Sequence, residues 1–170
     1  MRKPCNDFAT AQTVLQSIVL TLLMLFVEVQ ALPLAHGASN DGEAAVRVAI
    51  QSFYKAFDEG FTGPADYAAE DWNHINPLGG RARGREAVLK EVRGAHMSFL
   101  KGTTDTIENM DIRFASSDVA VGTVVSVMSP FTYGGVRHST ERHIRTFVVV
   151  RRDDGWKIMQ DHNTTIAESR

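Results

Sequence analysis

The sequence predicts an α+β domain in which helices come first and an antiparallel sheet comes last. Two observations indicate this order. Apolar residues recur at helical spacing in the first half of the domain, and long runs rich in β-branched and aromatic residues fill the second half. The strongest β signal is the segment 138–163, where two such runs flank the turn Asp153 to Gly155. We therefore expect the helices to pack on one face of a curved sheet.

Three helices are predicted. Asn40 and Glu43 resemble a capping box, and an apolar stripe at helical spacing follows them. Pro64 opens a short second helix over residues 65–70, because the missing N–H of proline costs nothing at the first helical position. A third apolar stripe predicts a helix over residues 86–101.

Strands fill the rest of the domain, and their side chains alternate between two faces. They are predicted at residues 71–76, 104–109, 111–115, 119–128, 142–151 and 156–165, and the second and third could be one strand with an irregularity. Alternation places two polar residues of the longest run on one face with apolar ones: His143, Arg145, Phe147 and Val149. The last run has a similar mixed face: Trp156, Ile158, Gln160 and His162.

The first 38 residues are typical of a secretory signal peptide. Arg2 and Lys3 give a positive start, residues 18–27 are apolar, and small residues suitable for cleavage occur near Ala31 and Ala38. The apolar run is shorter than the roughly 20 residues that span a bilayer, which favours cleavage over an uncleaved membrane anchor. We expect a secreted or periplasmic protein with no stable membrane insertion after cleavage.

Composition narrows the classes of function. The chain of 170 residues has a formal net charge of -2 and no basic cluster, so nucleic-acid binding is not predicted. Its single cysteine, Cys5, lies in the predicted signal peptide. The mature domain would therefore have no disulfide, no cysteine nucleophile and no thiolate metal site.

Polar residues share strand faces with large apolar ones, which is the composition of a ligand-binding cavity. His143 and His162 are the candidate catalytic acids or bases, because histidine titrates near neutral pH. The candidate ligand-binding residues come from the first helix and three strands: Tyr54, Phe57, Trp72, His74, Asn76, Arg145 and Gln160. We expect the inner faces of the three strands to converge on one cavity, closed by the first helix.

These residues also have structural interpretations. A strand histidine can be satisfied by its neighbours, and an inward Arg145 needs a partner because an unpaired buried charge is costly. That partner could be Glu141, Asp161 if the strand register allows, or an anionic ligand. No carboxylate at a suitable spacing joins the histidines, so neither a metal site nor another cofactor is predicted.

Four motifs, in this order, resemble the nuclear transport factor 2-like superfamily, the cone-shaped fold of SnoaL-like proteins and ketosteroid isomerase. They are Glu70-Asp71, Asn76-Pro77-Leu78-Gly79-Gly80, Gly84-Arg85-Glu86-Ala87-Val88 and Asp154-Gly155-Trp156-Lys157-Ile158. Within this superfamily, the motifs resemble those of the SgcJ/EcaC group. The resemblance implies a single domain over residues 39–170, with a cone-shaped antiparallel or mixed sheet and about three N-terminal helices on its concave face.

The resemblance to ketosteroid isomerase does not extend to its catalytic residues. That enzyme has an Asp base directly before the proline of the first-strand loop, where this chain has Asn76, and a Tyr on the first helix, where this chain has Phe53 beside Tyr54. An amide cannot accept a substrate proton, and Phe cannot donate a hydrogen bond. Proton transfer of that type is therefore disfavoured.

Two functions remain open, because this superfamily hosts enzymes, binding proteins and assembly modules. The first is an exported small-molecule-binding protein, which could be an isomerase, hydrolase or cyclase acting on a small hydrophobic substrate in the cavity. The alternative is a non-catalytic dimeric interaction module with a vestigial cavity. A homodimer through the sheet is expected because the outer face of the longest strand is apolar: Ile144, Thr146, Val148 and Val150.

Overall fold

Two helices and eight strands form residues 40–167, the part of the chain that the computed structural model describes. The helices are α1 (Asn40–Asp58) and α2 (Arg85–His96). The strands are β1 (Ala68–Ile75), β2 (Arg81–Arg83), β3 (Asp105–Ser116), β4 (Val119–Met128), β5 (Phe131–Tyr133), β6 (Val136–His138), β7 (Glu141–Arg152) and β8 (Gly155–Thr165). The predicted signal peptide, including Cys5, lies outside the described residues, and neither described helix is long and apolar enough to cross a membrane.

Six of the strands form one mixed sheet, in the order β2-β1-β8-β7-β4-β3. Strands β1 and β8 run parallel, and the other neighbours in this sheet are antiparallel. Strands β5 and β6 form a separate hairpin. The predicted α+β fold with a curved mixed sheet is confirmed, with two helices rather than three among the described residues.

The short helix predicted for residues 65–70 is wrong, because strand β1 already begins at Ala68. The amide of Ile158 in β8 donates to the carbonyl oxygen of Tyr67 at 2.7 Å, and Ala68 pairs with Ile158. Pairing with a buried strand satisfies these backbone groups and outweighs a weak local helix signal. The last predicted helix also ends earlier than expected, at His96.

The core lies between α1 and the inner face of the sheet. Phe53 of α1 packs edge-to-face against Trp72 of β1 and Phe147 of β7, and all three are almost fully buried. Gly122 of β4 permits this close approach, because a Cβ atom there would lie 2.5 Å from Cδ1 of Ile50. The aromatic cluster fixes the helix over the centre of the sheet.

Strand β7 follows the predicted alternation. His143, Arg145, Phe147 and Val149 are buried, whereas Ile144 and Thr146 are exposed. The mixed polar and apolar face of this strand is therefore the inner face, as predicted.

Strand β8 does not follow the predicted alternation, because a β-bulge interrupts it. Val149 pairs with Ile158 and Val148 pairs with Gln160, which leaves Met159 as the extra residue. Beyond the bulge the buried residues are Asp161 and Asn163. The expectation that Gln160 and His162 share the inner face with Ile158 is wrong.

Candidate functional site

A cavity of about 490 Å³ lies at one end of the core. Its walls come from both helices, from the hairpin β5–β6 and from strands β1, β4, β7 and β8. Most of the lining is apolar, and six aromatic side chains contribute to it: Phe53, Phe57, Phe61, Phe99, Phe131 and Tyr133. The polar lining is concentrated on the β1, β7 and β8 side: His74, Glu141, His143, Arg145 and Asn163. A mostly apolar cavity with a few fixed polar groups is typical of a small-molecule site.

Asp161 organises the polar end of the cavity although it is completely buried. Trp72 donates its indole N–H to Oδ1 at 2.8 Å. On Oδ2, the Nδ1 atom of His74 lies at 2.9 Å and Nη1 of Arg145 donates at 3.2 Å. Three donors from two strands compensate for the loss of water around the carboxylate. Asp161 is therefore the internal partner of Arg145, one of the partners that the sequence left open, and the register of β8 brings it into place.

His74 is the side chain best placed for proton transfer. Its Nδ1 faces Asp161, which fixes the Nδ1–H tautomer when the ring is neutral. Its other nitrogen, Nε2, has no protein partner among residues 40–167, and the ring lines the cavity. A histidine oriented by a buried carboxylate and open on its other nitrogen can act as a general acid or base.

A second histidine–carboxylate group lies on the same wall. Glu141 accepts from Nδ1 of His138 at 2.8 Å and contacts Nε2 of His143 at 3.2 Å. Partial burial of Glu141 acts to raise its pKa, but the hydrogen bonds and charges of the two histidines outweigh burial, so the pKa lies below its ordinary value. Asn163 lies 3.2 Å from Nδ1 of His143 through its amide nitrogen. Both ring nitrogens of His143 therefore have a polar partner, Glu141 on Nε2 and Asn163 on Nδ1.

His96 is a third cavity histidine, held between aromatic rings. Its ring centroid lies 4.5 Å from that of Phe57 and 5.4 Å from that of Phe61. Burial lowers the pKa of His96, against a smaller opposing effect of the Asp58 charge. Nε2 is buried without a protein partner among the described residues, so the uncharged ring is favoured at neutral pH.

The structure brings together only part of the predicted site. Phe57, His74, Asn76, His143 and Arg145 line the cavity. Tyr54 and Trp72 are buried beside it and are not part of its lining. Tyr54 lies with its hydroxyl 3.4 Å from Ser126 Oγ, and burial raises the pKa of Tyr54 despite the nearby charge of Arg145.

Two predicted site residues lie on the wrong face of the sheet. His162 is exposed and pairs with Thr146, which is also exposed, whereas His143 is buried. The predicted cavity shared by His143 and His162 is therefore wrong. Gln160 accepts a hydrogen bond from Asn73 at 2.9 Å outside the cavity. The bulge at Met159 is the physical reason for both errors.

Asn76 has a different role from the one its sequence position suggested. Its Oδ1 accepts from the amides of Leu78 and Gly80, at 3.0 and 2.9 Å, and its Nδ2 donates to Glu91 at 3.0 Å. Both ends of the amide are thus used to hold the loop at the cavity. Asn76 lines the site as a loop-stabilising residue.

Sequence reasoning missed Asn163, His96 and the central role of Asp161. A strict period of two placed Asp161 and Asn163 outside, and His96 falls within the predicted helix over residues 86–101 with no further pattern that marks it as a site residue. The mixed composition of β7 was the signal that could have found Asp161, because a buried Arg145 requires a partner such as a buried carboxylate. Among residues 40–167, no three His, Cys, Asp or Glu side chains are placed to hold a metal ion.

Comparisons with known proteins agree with this architecture. A protein from Caulobacter vibrioides with a cystatin-like fold superposes with a TM-score of 0.70 at 18% identity, covering 75% of this chain and 91% of its own. A proposed scytalone dehydratase from Novosphingobium aromaticivorans superposes with a TM-score of 0.61 at 20% identity, covering 75% of this chain and 89% of its own. A ketosteroid isomerase-like protein from Erwinia carotovora superposes with a TM-score of 0.64 at 15% identity, covering 76% of this chain and 99% of its own.

These likenesses establish the fold, and the sequence itself establishes the family. A search of curated proteins found no significant match. The model of the SnoaL-like domain matches residues 43–160, which is most of the chain. The protein therefore belongs to the SnoaL-like domain family, on a nuclear transport factor 2-like fold.

Proposed function

We propose that this SnoaL-like protein binds a small, largely apolar molecule in its cavity and catalyses a proton transfer on it, with His74 as the acid or base. The observation that carries the proposal is the His74–Asp161 pair, in which a fully buried carboxylate lies 2.9 Å from Nδ1 and the ring faces the cavity. Such positioned acid–base groups typically accelerate reactions by about 10²–10⁴-fold.

The surrounding residues have distinct roles in this proposal. Asp161 orients His74 and stabilises its charged form during the transfer. Arg145 stabilises negative charge that develops on a substrate oxygen, since its guanidinium is buried at the same end of the cavity. His143, hydrogen-bonded to Glu141, is a second acid or base on the same wall. The exposed His162 has no place in the mechanism.

The structural neighbours support this class of chemistry. One is named ketosteroid isomerase-like and another a proposed scytalone dehydratase. The carboxylate base of the ketosteroid isomerase pattern is absent, because Asn76 occupies that position and both ends of its amide hold the loop. His74 would supply the base from the strand instead.

The test compares wild-type protein with His74→Gln and with the matched variant His162→Gln. Each is incubated with a metabolite extract, and bound and converted compounds are followed by untargeted mass spectrometry. We expect wild type and His162→Gln to retain and convert the same compound, and His74→Gln to bind it with at least about 100-fold slower conversion. Equal conversion by His74→Gln, or the absence of any retained compound, would contradict the proposal.

One observation favours the interaction module as a second candidate. The outer faces of the neighbouring strands β4 and β7 carry apolar residues that are half-buried or, for Ile144, exposed: Val119, Val121, Val125, Val127, Ile144 and Val148. A second copy of the chain would cover this surface. Export is proposed alongside either function, and the N-terminus of the mature protein should then lie between Leu32 and Asp41 by sequencing.

A further inference from the structure

Arg145 enters the cavity with most of its hydrogen-bonding capacity unused. A guanidinium has five N–H donors, and the bond of Nη1 to Asp161 is its one hydrogen bond among the described residues. Nε is buried without a partner, and Nη2 is also unpaired while it retains some accessible surface. Cζ of the guanidinium lies 4.6 Å from the centroid of the Phe53 ring, a cation–π contact that holds it against helix α1. The polar end of the cavity thus presents unpaired donors from one rigid group.

Acceptors lie beside these donors. Nδ1 of His74 and Nη1 of Arg145 contact the same oxygen of Asp161, at 2.9 and 3.2 Å, so the two side chains converge. In the neutral ring, the proton on Nδ1 leaves Nε2 as an acceptor. Asn163 is the direct cross-strand partner of Arg145, is almost fully buried, and has an unpaired Oδ1. The Arg145 donors and the acceptors on His74 and Asn163 together match a ligand group that both accepts and donates a hydrogen bond.

The charges of the lining disfavour an anion. Arg145 is the only Lys or Arg among the described residues that line the cavity, and Asp161 already pairs with it. Glu91 and Glu141 line the same cavity. A ligand carboxylate would accept from Arg145 but would also face these carboxylates and the Asn163 oxygen. An uncharged hydroxyl avoids this repulsion and satisfies both kinds of partner.

We infer that the cavity is specific for an uncharged hydroxyl compound with an aromatic or similarly flat apolar body, whose O–H is read by Arg145, His74 and Asn163. This inference rests on the proposed function and names the ligand class of that site. The hydroxyl oxygen accepts from Nη2 of Arg145, and the hydroxyl proton is donated to His74 or Asn163. The aromatic residues Phe57 and Phe131 belong to the apolar wall that receives the ring.

The test uses three matched probes, p-cresol, toluene and p-toluate, at about pH 8, where a phenol is uncharged and a carboxylate is ionised. Binding to the wild-type protein is measured by NMR titration up to the solubility limit of each probe. We expect p-cresol to bind about tenfold or more tightly than both other probes, because one charge-assisted hydrogen bond is worth that factor. His74→Leu should reduce this preference several-fold, and the outer-face variant His162→Leu should retain it.

The wild-type titration decides the inference even if His74→Leu does not fold. Equal binding of toluene and p-cresol would overturn the hydroxyl specificity while leaving the cavity a binding site. Binding of p-toluate as tight as that of p-cresol would overturn it in favour of an anion site. Failure of all three probes to bind would contradict the proposed small-molecule function together with this inference.

Discussion

Asp161 holds three side chains of the polar end in place, so its charge should matter for folding as well as for chemistry. Asp161→Asn keeps the shape and removes the charge that pairs with Arg145 and orients His74. Removing one partner of a buried ion pair typically costs about 3–5 kcal/mol, because the other charge is left uncompensated. We expect a loss of that size in the free energy of unfolding, measured with urea. The same change at the exposed Asp111 should have little effect, and equal effects at both positions would contradict the buried pairing.

Glu141 should make stability dependent on acidic pH. Its pKa in the folded protein lies below the ordinary value, since the two histidine contacts outweigh burial. The folded state therefore binds fewer protons than the unfolded state near that pKa, and stability falls as the pH falls. We expect the stability difference between wild type and Glu141→Gln to be full above the ordinary pKa of 4.5 and to shrink below it. Urea unfolding at several pH values measures this, and a difference independent of pH would contradict it.

At the scale of elements, the contact between α1 and β4 depends on a missing side chain. A Cβ atom at Gly122 would lie 2.5 Å from Cδ1 of the fully buried Ile50. Gly122→Ala should therefore cost about 1–3 kcal/mol of stability through overpacking. Ile50→Val removes the clashing Cδ1, so the double variant should be more stable than the two single effects added together predict. Additive effects in a double-mutant cycle would contradict this contact. Gly63→Ala is the control, because a Cβ atom there has no neighbour within 4 Å.

Strand β7 was predictable from sequence because nothing interrupts its period of two. Its mixed face pointed inward as expected, and the buried Arg145 follows from it. Strand β8 was not predictable in the same way, since one extra residue at Met159 inverts the alternation for the rest of the strand. No local residue pattern marked this bulge. The same error placed His162 in the site and left Asp161 and Asn163 out of it.

For the other elements, the accuracy of the prediction depended on how strong the local sequence pattern was. Helix α1 and the long strands carry strong periodic patterns, and the structure contains them close to the predicted positions. The helix predicted over residues 65–70 depended on Pro64 just before it, whereas the pairing of this segment with β8 depends on residues about 90 positions away in the chain. Long-range pairing of this kind leaves little trace in a short window of sequence.

At the scale of the whole molecule, the outer face of the sheet predicts self-association. Half-buried valines of β4 and β7 form an apolar strip, with Val148 among them. We expect the wild type to sediment as a dimer at micromolar concentration and Val148→Glu to sediment as a monomer, because the new charge would be buried at the contact. Gln51→Glu, on the exposed side of helix α1 and so away from the outer face of the sheet, is the control for an added charge. A monomeric wild type would contradict the dimer.

The site as a whole depends on which nitrogen of His74 faces the cavity. Nδ1 lies 2.9 Å from Asp161, so the neutral ring should carry its proton on Nδ1 and present an unprotonated Nε2 to the ligand. NMR of the protein labelled with nitrogen-15 histidine distinguishes the two tautomers directly. We predict the Nδ1–H tautomer for His74 in the wild type and a loss of this preference in Asp161→Asn. A wild-type His74 with its proton on Nε2 would contradict the proposed role of His74 as the base that receives a proton from the ligand.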